Sequence, residues 1–104
     1  MADIIDQLEQ VLDERKDVES DNSYVASLYS KGNGYICDKI LEEASELVEA
    51  SEDTTQRVVH ETTDLLFHVL VLLASRDIKY ARIKEELERR FGTSGIDEKN
   101  NRNN

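Results

Sequence analysis

The stretch from Leu65 to Ala74 is the most apolar part of the chain, because its ten residues include one polar side chain, His68. Two acids, Glu61 and Asp64, stand just before it and are three residues apart. On a helix, Glu61, Asp64 and His68 fall within about 60° of one another, and the rest of the downstream circumference is apolar. Such a helix is expected to be buried nearly all round. Buried carboxylates are costly unless they are paired or bind a metal.

The composition favours an all-α fold. The 104 residues contain no proline or tryptophan and only four glycines, and 35% of them are charged. Such a chain is typical of a single small domain, which we assign to residues 1–92, built as an antiparallel bundle of four to five helices. We expect the last segment, residues 93–104, to be disordered because it has no apolar pattern.

Helical spacing of apolar residues and polar breaks between them give the helix boundaries. The predicted helices cover residues 3–19, 24–30, 35–51, 54–75 and 79–91. The cluster from Ser20 to Ser23 supplies N-cap residues, and the segment from Lys31 to Gly34 is expected to break the chain. Asp77 is predicted to cap the last helix, with Ile83 and Leu87 facing inward.

Charge and apolar runs exclude several classes of protein. The net charge of −10 disfavours nonspecific nucleic-acid binding, which needs clustered cations. Phosphate ligands would then need metal ions or a locally basic pocket. The longest apolar run is about half the ~20 residues that cross a bilayer, and the N-terminal residues do not resemble a signal peptide. Cys37 is alone, which fits a reducing compartment. We therefore expect a cytoplasmic protein that binds neither nucleic acid nor membrane.

Two acidic clusters stand on consecutive long helices. The first helix carries Glu42, Glu43 and Glu46, and the second carries Glu61 and Asp64. Helices joined by a short connection pack antiparallel, so these carboxylates are predicted to converge. Converging acids repel one another, and a divalent cation with a preference for oxygen ligands, Mg²⁺ or alternatively Mn²⁺, would remove that repulsion.

Structural readings of the same residues stay open. A run of glutamates is usually a solvated helix face, and an acidic pair near a helix N-terminus is stabilised by the helix dipole. His68 could be a hydrogen-bonded core histidine rather than a substrate contact. A di-iron centre is disfavoured, because such bundles use Glu-x-x-His motifs, and neither histidine follows a glutamate by three residues.

The acidic signature resembles that of the MazG-like superfamily of all-α nucleotide pyrophosphohydrolases. Within it, three segments are similar to the phosphoribosyl-ATP pyrophosphatases: SYVASLYSKG (23–32), KILEEASELVEA (39–50) and DLLFHVLVLLA (64–74). With ELERR (86–90), the resemblance covers about residues 3–92. The chain departs from the family pattern at Phe67, where tyrosine is common, and at Asp77, where glycine is common. The proline often seen before Ser23 is also missing.

The resemblance implies Mg²⁺-dependent hydrolysis of phosphoribosyl-ATP to phosphoribosyl-AMP and pyrophosphate, the second step of histidine biosynthesis. It also implies a homodimer with active sites near the subunit interface, and a functional link to phosphoribosyl-AMP cyclohydrolase. By motif position, the expected metal ligands are Glu43, Glu46, Glu61 and Asp64. The expected catalytic residues are Glu42, as an outer ligand or as the group that orients water, and Lys39. The expected substrate contacts are Ser23, Tyr24, Lys31, Gly32, Arg57 and His68. Arg89 and Arg90 are weaker candidates.

Two other functions remain open from the sequence. One is a sister pyrophosphohydrolase that acts on another nucleoside triphosphate as a house-cleaning enzyme. The other is a non-catalytic helical dimer in which the acids bind metal only for stability or serve a protein partner.

Overall fold

The computed structural model describes residues 3–92, and this part of the chain contains five α-helices and no strand. The helices are α1 (Ile4–Glu14), α2 (Tyr24–Lys31), α3 (Asn33–Ala50), α4 (Thr55–Ser75) and α5 (Tyr80–Phe91). The predicted all-α bundle is confirmed. The predicted disorder of residues 93–104 lies outside the described residues.

Helix α1 ends earlier than the apolar spacing predicts. A 3₁₀ turn, Arg15–Asp17, follows α1 where the helix was expected to continue to residue 19. A second 3₁₀ turn, Ser20–Asn22, occupies most of the predicted capping cluster. The hydroxyl of Tyr29 donates to the backbone carbonyl of Leu12 at 2.8 Å. A side chain from α2 therefore satisfies a carbonyl that a continued α1 would have used, and this contact is not visible in local sequence.

Gly32 alone separates α2 from α3. Its φ of 93° lies in the left-handed region that glycine adopts without steric cost. The predicted break was wider, but Lys31 is the last residue of α2, and α3 already begins at Asn33. The predicted N-cap at Ser23 is confirmed, because its hydroxyl accepts from the Ala26 N–H at 3.2 Å.

The hydrophobic core lies at one end of the α3–α4 pair. Helices α1 and α2 pack there against the first turns of α3 and the last turns of α4. The buried core side chains are Leu12, Val25, Leu28, Ile36, Leu70, Val71 and Ala74. The opposite half of the pair, towards the turn between α3 and α4, extends beyond this core and carries the acidic residues.

Helix α4 contributes more buried residues than any other described helix, as expected, but it is not buried all round within one chain. Val59 is 59% exposed and Leu66 is 39% exposed. By length and composition alone, α4 could also cross a membrane. The core helix of a water-soluble protein passes the same test, and α4 packs along α3 and carries a buried glutamate and a buried histidine.

Two predictions for α5 were wrong. Asp77 does not cap the helix: it has a φ of 56°, and its carboxylate pairs with Lys16 of the first 3₁₀ turn. The cap comes instead from Glu9 on α1, whose Oε2 accepts from the Tyr80 N–H at 2.6 Å. Leu87 is 45% exposed rather than inward-facing, whereas Ile83 is partly buried.

We expect Glu9→Ala to lower the free energy of unfolding by about 1–2 kcal/mol, because the Tyr80 N–H loses a charged acceptor. Urea denaturation followed by circular dichroism measures this change. Glu14→Ala on the same helix is the matched control, since the exposed Glu14 carboxylate bonds only the Gln10 amide, at 3.4 Å, within residues 3–92. Equal losses in the two variants would contradict the assigned cap.

Candidate metal centre between α3 and α4

Three carboxylates meet where α3 and α4 pass each other. Glu43 and Glu46 lie one turn apart on α3, and Glu61 faces them from the second turn of α4. One carboxylate oxygen from each of these residues lies within 4.8 Å of the other two. The sequence spacing, three residues on one helix and an antiparallel neighbour, is what brings these groups together.

The cluster is buried, and its charge is poorly compensated. Glu43 is 7% exposed and Glu61 is 9% exposed. The Oε2 atoms of both residues are buried without a hydrogen-bond partner among the described residues. A buried acceptor without a donor costs about 1–3 kcal/mol, and more when it is charged. Oxygens left in this state are suited to a hard divalent cation, so the donor set fits Mg²⁺ or Mn²⁺.

The electrostatics of Glu43 reflect this environment. Burial is the largest cause that raises the pKa of Glu43, followed by a hydrogen bond with Glu46 and by the negative charges of Glu46 and Asp64. Glu43 therefore holds a proton more tightly than an ordinary carboxyl when no cation is bound.

Asp64 lies at the rim of the cluster rather than inside it. Its carboxylate is 41% exposed, and its Oδ2 lies 3.3 Å from Nε2 of His60. The structure thus brings together three of the four predicted ligands, and Asp64 contributes charge from the next turn. Sequence reasoning missed His60, although its position four residues before Asp64 is the spacing at which helical side chains meet.

Lys39 and Glu42 form a pair beside the cluster. The Lys39 Nζ atom lies 3.2 Å from Glu42 Oε2 and 3.9 Å from Glu43 Oε1. The hydrogen bond to Glu42 is the largest cause that raises the pKa of Lys39, so this side chain stays cationic. The Glu42 carboxylate is 55% exposed, which leaves it accessible to solvent and to a ligand.

His68 is buried and bonded through both ring nitrogens. Its Nδ1 lies 2.8 Å from the backbone oxygen of Asp64, and its Nε2 lies 3.0 Å from the Tyr24 hydroxyl. The imidazole is 5% exposed, whereas Tyr24 is 53% exposed. These contacts connect the start of α2 to the acidic face of α4.

The remaining predicted contacts lie further from the three carboxylates or are engaged in local bonds. Ser23 caps α2, and the Lys31 Nζ atom stands 4.5 Å from the centre of the Tyr35 ring. Arg57 donates to Asp53 at 2.8 Å at the start of α4. On α5, Arg89 and Arg90 bond Glu86 and lower the pKa of that carboxyl to about 2.

This geometry occurs in a sequence with recognisable relatives. The model of the phosphoribosyl-ATP pyrophosphohydrolase family matches residues 5–91. The chain belongs to this family. The predicted resemblance is therefore confirmed, and the protein is a hydrolase of the phosphoribosyl-ATP pyrophosphohydrolase family.

Curated relatives of the phosphoribosyl-ATP pyrophosphohydrolase family match nearly the whole chain. Proteins named phosphoribosyl-ATP pyrophosphatase from Vesicomyosocius okutanii and Ruthia magnifica are each 49% identical over 105 aligned positions, which cover 100% of both chains. A protein of the same name from Trichlorobacter lovleyi is 52% identical over 97 positions, 92% of this chain and 90% of the relative.

We expect Glu43→Gln to raise the free energy of unfolding by about 1–3 kcal/mol when metal is removed by chelator. The substitution removes a buried charge beside Glu46, and the new amide can donate to that neighbour. Urea denaturation at neutral pH measures the change. Glu49→Gln, an exposed position two turns away on α3, is the control and should shift stability by less than about 0.5 kcal/mol. A loss of stability in Glu43→Gln would contradict the repulsion between the buried acids.

When a chelator is present, the difference in unfolding free energy between the wild type and Glu43→Gln is expected to depend on pH. The folded pKa of Glu43 is raised above the ordinary value of 4.5, so the folded state binds more protons than the unfolded state as pH rises past 4.5. The wild type then loses stability relative to Glu43→Gln across that window. Unfolding curves at several pH values between 4 and 8 measure the difference. A difference that does not grow with pH would contradict the raised pKa.

Proposed function

We propose that the protein hydrolyses phosphoribosyl-ATP to phosphoribosyl-AMP and pyrophosphate in a Mg²⁺-dependent reaction, the second step of histidine biosynthesis. The observation that carries this proposal is the pair of buried, unpartnered carboxylate oxygens on Glu43 and Glu61, in a chain of the phosphoribosyl-ATP pyrophosphohydrolase family. The names of the relatives supply the substrate, and the carboxylates supply a reason for metal-assisted chemistry.

The proposed metal ligands are Glu43, Glu46 and Glu61, with Asp64 joining from the rim. When bound, a divalent cation would neutralise phosphate charge and assist the attack of water on a phosphoanhydride. Three acids from two rigid helices would hold it in place because the α3–α4 packing fixes their separation.

Lys39 and Glu42 are the proposed catalytic pair. Hydrolysis forms a bond between a water oxygen and the α-phosphorus, breaks the bond to the β-phosphate and releases pyrophosphate. The attacking water must lose a proton, and the exposed Glu42 carboxylate is a suitable acceptor next to the cluster. Lys39 carries a positive charge that can stabilise the phosphate oxygens as negative charge moves to the leaving group.

The start of α3 is the proposed contact for a second phosphate group. Gly32 precedes this 18-residue helix without a side-chain cap, so the first backbone N–H groups are free to bind an anion. Lys31 adds a positive charge next to them. Gly32 lies eleven residues before Glu43, about 16 Å along the helix axis. Phosphoribosyl-ATP carries phosphates at both ends and suits two separated phosphate sites.

The other proposed contacts come from α2 and the start of α4. Tyr24, whose hydroxyl lies 3.0 Å from His68 Nε2, is proposed to touch the nucleotide, with Ser23 as its neighbour in the chain. Arg57 lies one turn before Glu61 and would contact the nucleotide only after leaving Asp53.

The proposed oligomer is a homodimer formed through α3 and α4. Each helix carries two exposed apolar side chains seven residues apart: Leu41 and Val48 are 69% and 71% exposed, and Val59 and Leu66 are 59% and 39% exposed. A seven-residue apolar repeat is the pattern that packs helices side by side. A second copy would cover these residues and supply the burial that so apolar a helix as α4 lacks in one chain.

We place the protein in the cytoplasm, in keeping with its single cysteine and its role in amino-acid biosynthesis. Its product would be the substrate of phosphoribosyl-AMP cyclohydrolase, so we propose functional coupling to that enzyme.

Asp64→Asn is expected to reduce pyrophosphate release from phosphoribosyl-ATP by about ten- to a hundredfold, because it removes negative charge next to the metal ligands. Release should also disappear in the wild type when chelator replaces Mg²⁺. Asp6→Asn, an exposed position on α1, is the control and should retain activity. Full activity of Asp64→Asn would contradict its assigned role.

The choice of substrate separates the alternatives. Release from phosphoribosyl-ATP but not from ATP supports the proposal. Release from ATP or other plain triphosphates would instead indicate a house-cleaning pyrophosphohydrolase, and no release from any nucleotide would overturn the assignment as an active enzyme.

Val48→Glu is expected to weaken the homodimer, because it introduces a charge into the apolar stripe of α3. Analytical ultracentrifugation across protein concentrations should show a dissociation constant at least about tenfold higher than that of the wild type. Ile4→Glu is the matched control, since Ile4 is also 71% exposed but lies on α1. A monomeric wild type, or equal effects of the two substitutions, would contradict the proposed interface.

A further inference from the structure

The buried imidazole of His68 has a fixed direction. Both ring nitrogens make hydrogen bonds, and the Phe67 ring packs edge-on against it with 5.3 Å between ring centres. The Tyr24 ring is also nearly perpendicular to it, at 6.0 Å. These contacts leave the ring little freedom to rotate away from Tyr24 and the Asp64 carbonyl.

The hydrogen bond to the Asp64 carbonyl determines which ring nitrogen of His68 carries a proton. A backbone carbonyl can only accept, so Nδ1 of His68 must carry the proton that it shares with Asp64. In a neutral imidazole, Nε2 is then an acceptor, and the Tyr24 hydroxyl is the group that donates across the 3.0 Å contact. The Tyr24 hydroxyl then directs its only proton at His68 Nε2, so its oxygen presents only lone pairs to a ligand.

The position of Tyr24 relates this oxygen to the carboxylate cluster. Burial is the largest cause that raises the pKa of Tyr24, Lys39 acts against it, and the charges of Glu43 and Glu42 add to it. The hydroxyl therefore lies within electrostatic range of both the buried cluster and the catalytic pair. Phosphate oxygens have no proton to donate at neutral pH, so an oxygen restricted to accepting is poorly suited to bind them.

We propose that His68 is a positioning residue, which fixes the Tyr24 hydroxyl as a hydrogen-bond acceptor for a hydroxyl or amino group of the nucleotide. The contact orients the sugar or base end of the substrate while the phosphates face the carboxylates and Lys39. This inference rests on the proposed function for the identity of the ligand. The hydrogen-bonded arrangement of His68 and Tyr24 does not depend on the proposed function.

The tautomer can be measured without any activity assay. Nitrogen-15 NMR of the histidine-labelled protein at the assay pH separates the two neutral tautomers and the charged imidazolium. A His60→Gln variant assigns the signals, because His60 is the other histidine of the chain. A neutral ring protonated at Nδ1 is the expected result. A ring protonated at Nε2, or at both nitrogens, would overturn the proposal, since Tyr24 would then accept rather than donate.

Two substitutions of His68 separate positioning from packing. Gln can place an oxygen where Nε2 lies and so still accept from Tyr24, whereas Asn can replace only the Nδ1 donor to the Asp64 carbonyl. We expect His68→Asn and Tyr24→Phe each to raise the KM by about three- to tenfold, the typical effect of one hydrogen bond. The KM of His68→Gln should stay closer to that of the wild type.

The double variant provides the decisive comparison. If His68 acts through Tyr24, His68→Asn should not raise the KM further in the Tyr24→Phe background. An equal, independent increase there, or an unchanged KM in Tyr24→Phe, would overturn the proposal. Tyr29→Phe is the control, because it removes another hydrogen-bonded hydroxyl from α2 and should lower stability without changing KM.

The outcomes also separate this inference from the proposed function. A wild type that releases no pyrophosphate would overturn the proposed function and with it the nucleotide contact. The NMR spectrum would still decide whether His68 holds Tyr24 in the assigned arrangement.

Discussion

Repulsion between buried carboxylates is the constraint on which the site depends. Glu43 and Glu61 lose their solvation on folding, keep oxygens without partners and face Glu46 across a few ångströms. Lys39 is too far from most of these oxygens to balance them, since it approaches Glu43 only to 3.9 Å. Proteins rarely bury acids in this way unless a positive charge lies beside them. A divalent cation would satisfy both the oxygens and the charge.

The hydrophobic core that stabilises the fold lies away from the carboxylate cluster. Helices α1 and α2 build the core at the far end of the α3–α4 pair, and the acids lie on the half that extends beyond it. Long helices can hold repelling acids together because their packing at one end fixes their direction at the other. The exposed apolar residues on that half include Val48 and Val59, which the proposed homodimer would cover.

Helices and acids could be predicted from sequence because both depend on local spacing. The i, i+3 pairs and the antiparallel connection were sufficient to bring Glu43, Glu46 and Glu61 together. Features that depend on contacts between distant residues could not be predicted. Glu9 caps α5 across 71 residues, Asp77 pairs with Lys16 rather than capping, and Tyr29 ends α1. The rim position of Asp64 and its contact with His60 depend on rotamers, which the helical wheel does not specify.

The most direct test is anomalous diffraction from crystals grown with Mn²⁺. The account predicts a manganese peak about 2.1 Å from carboxylate oxygens of Glu43 and Glu46 on α3 and of Glu61 on α4. The oxygens that lack hydrogen bonds should be among the ligands. A cluster that stays free of manganese at saturating concentration, or peaks confined to exposed acids elsewhere, would contradict the claim that these buried carboxylates are built to hold a metal.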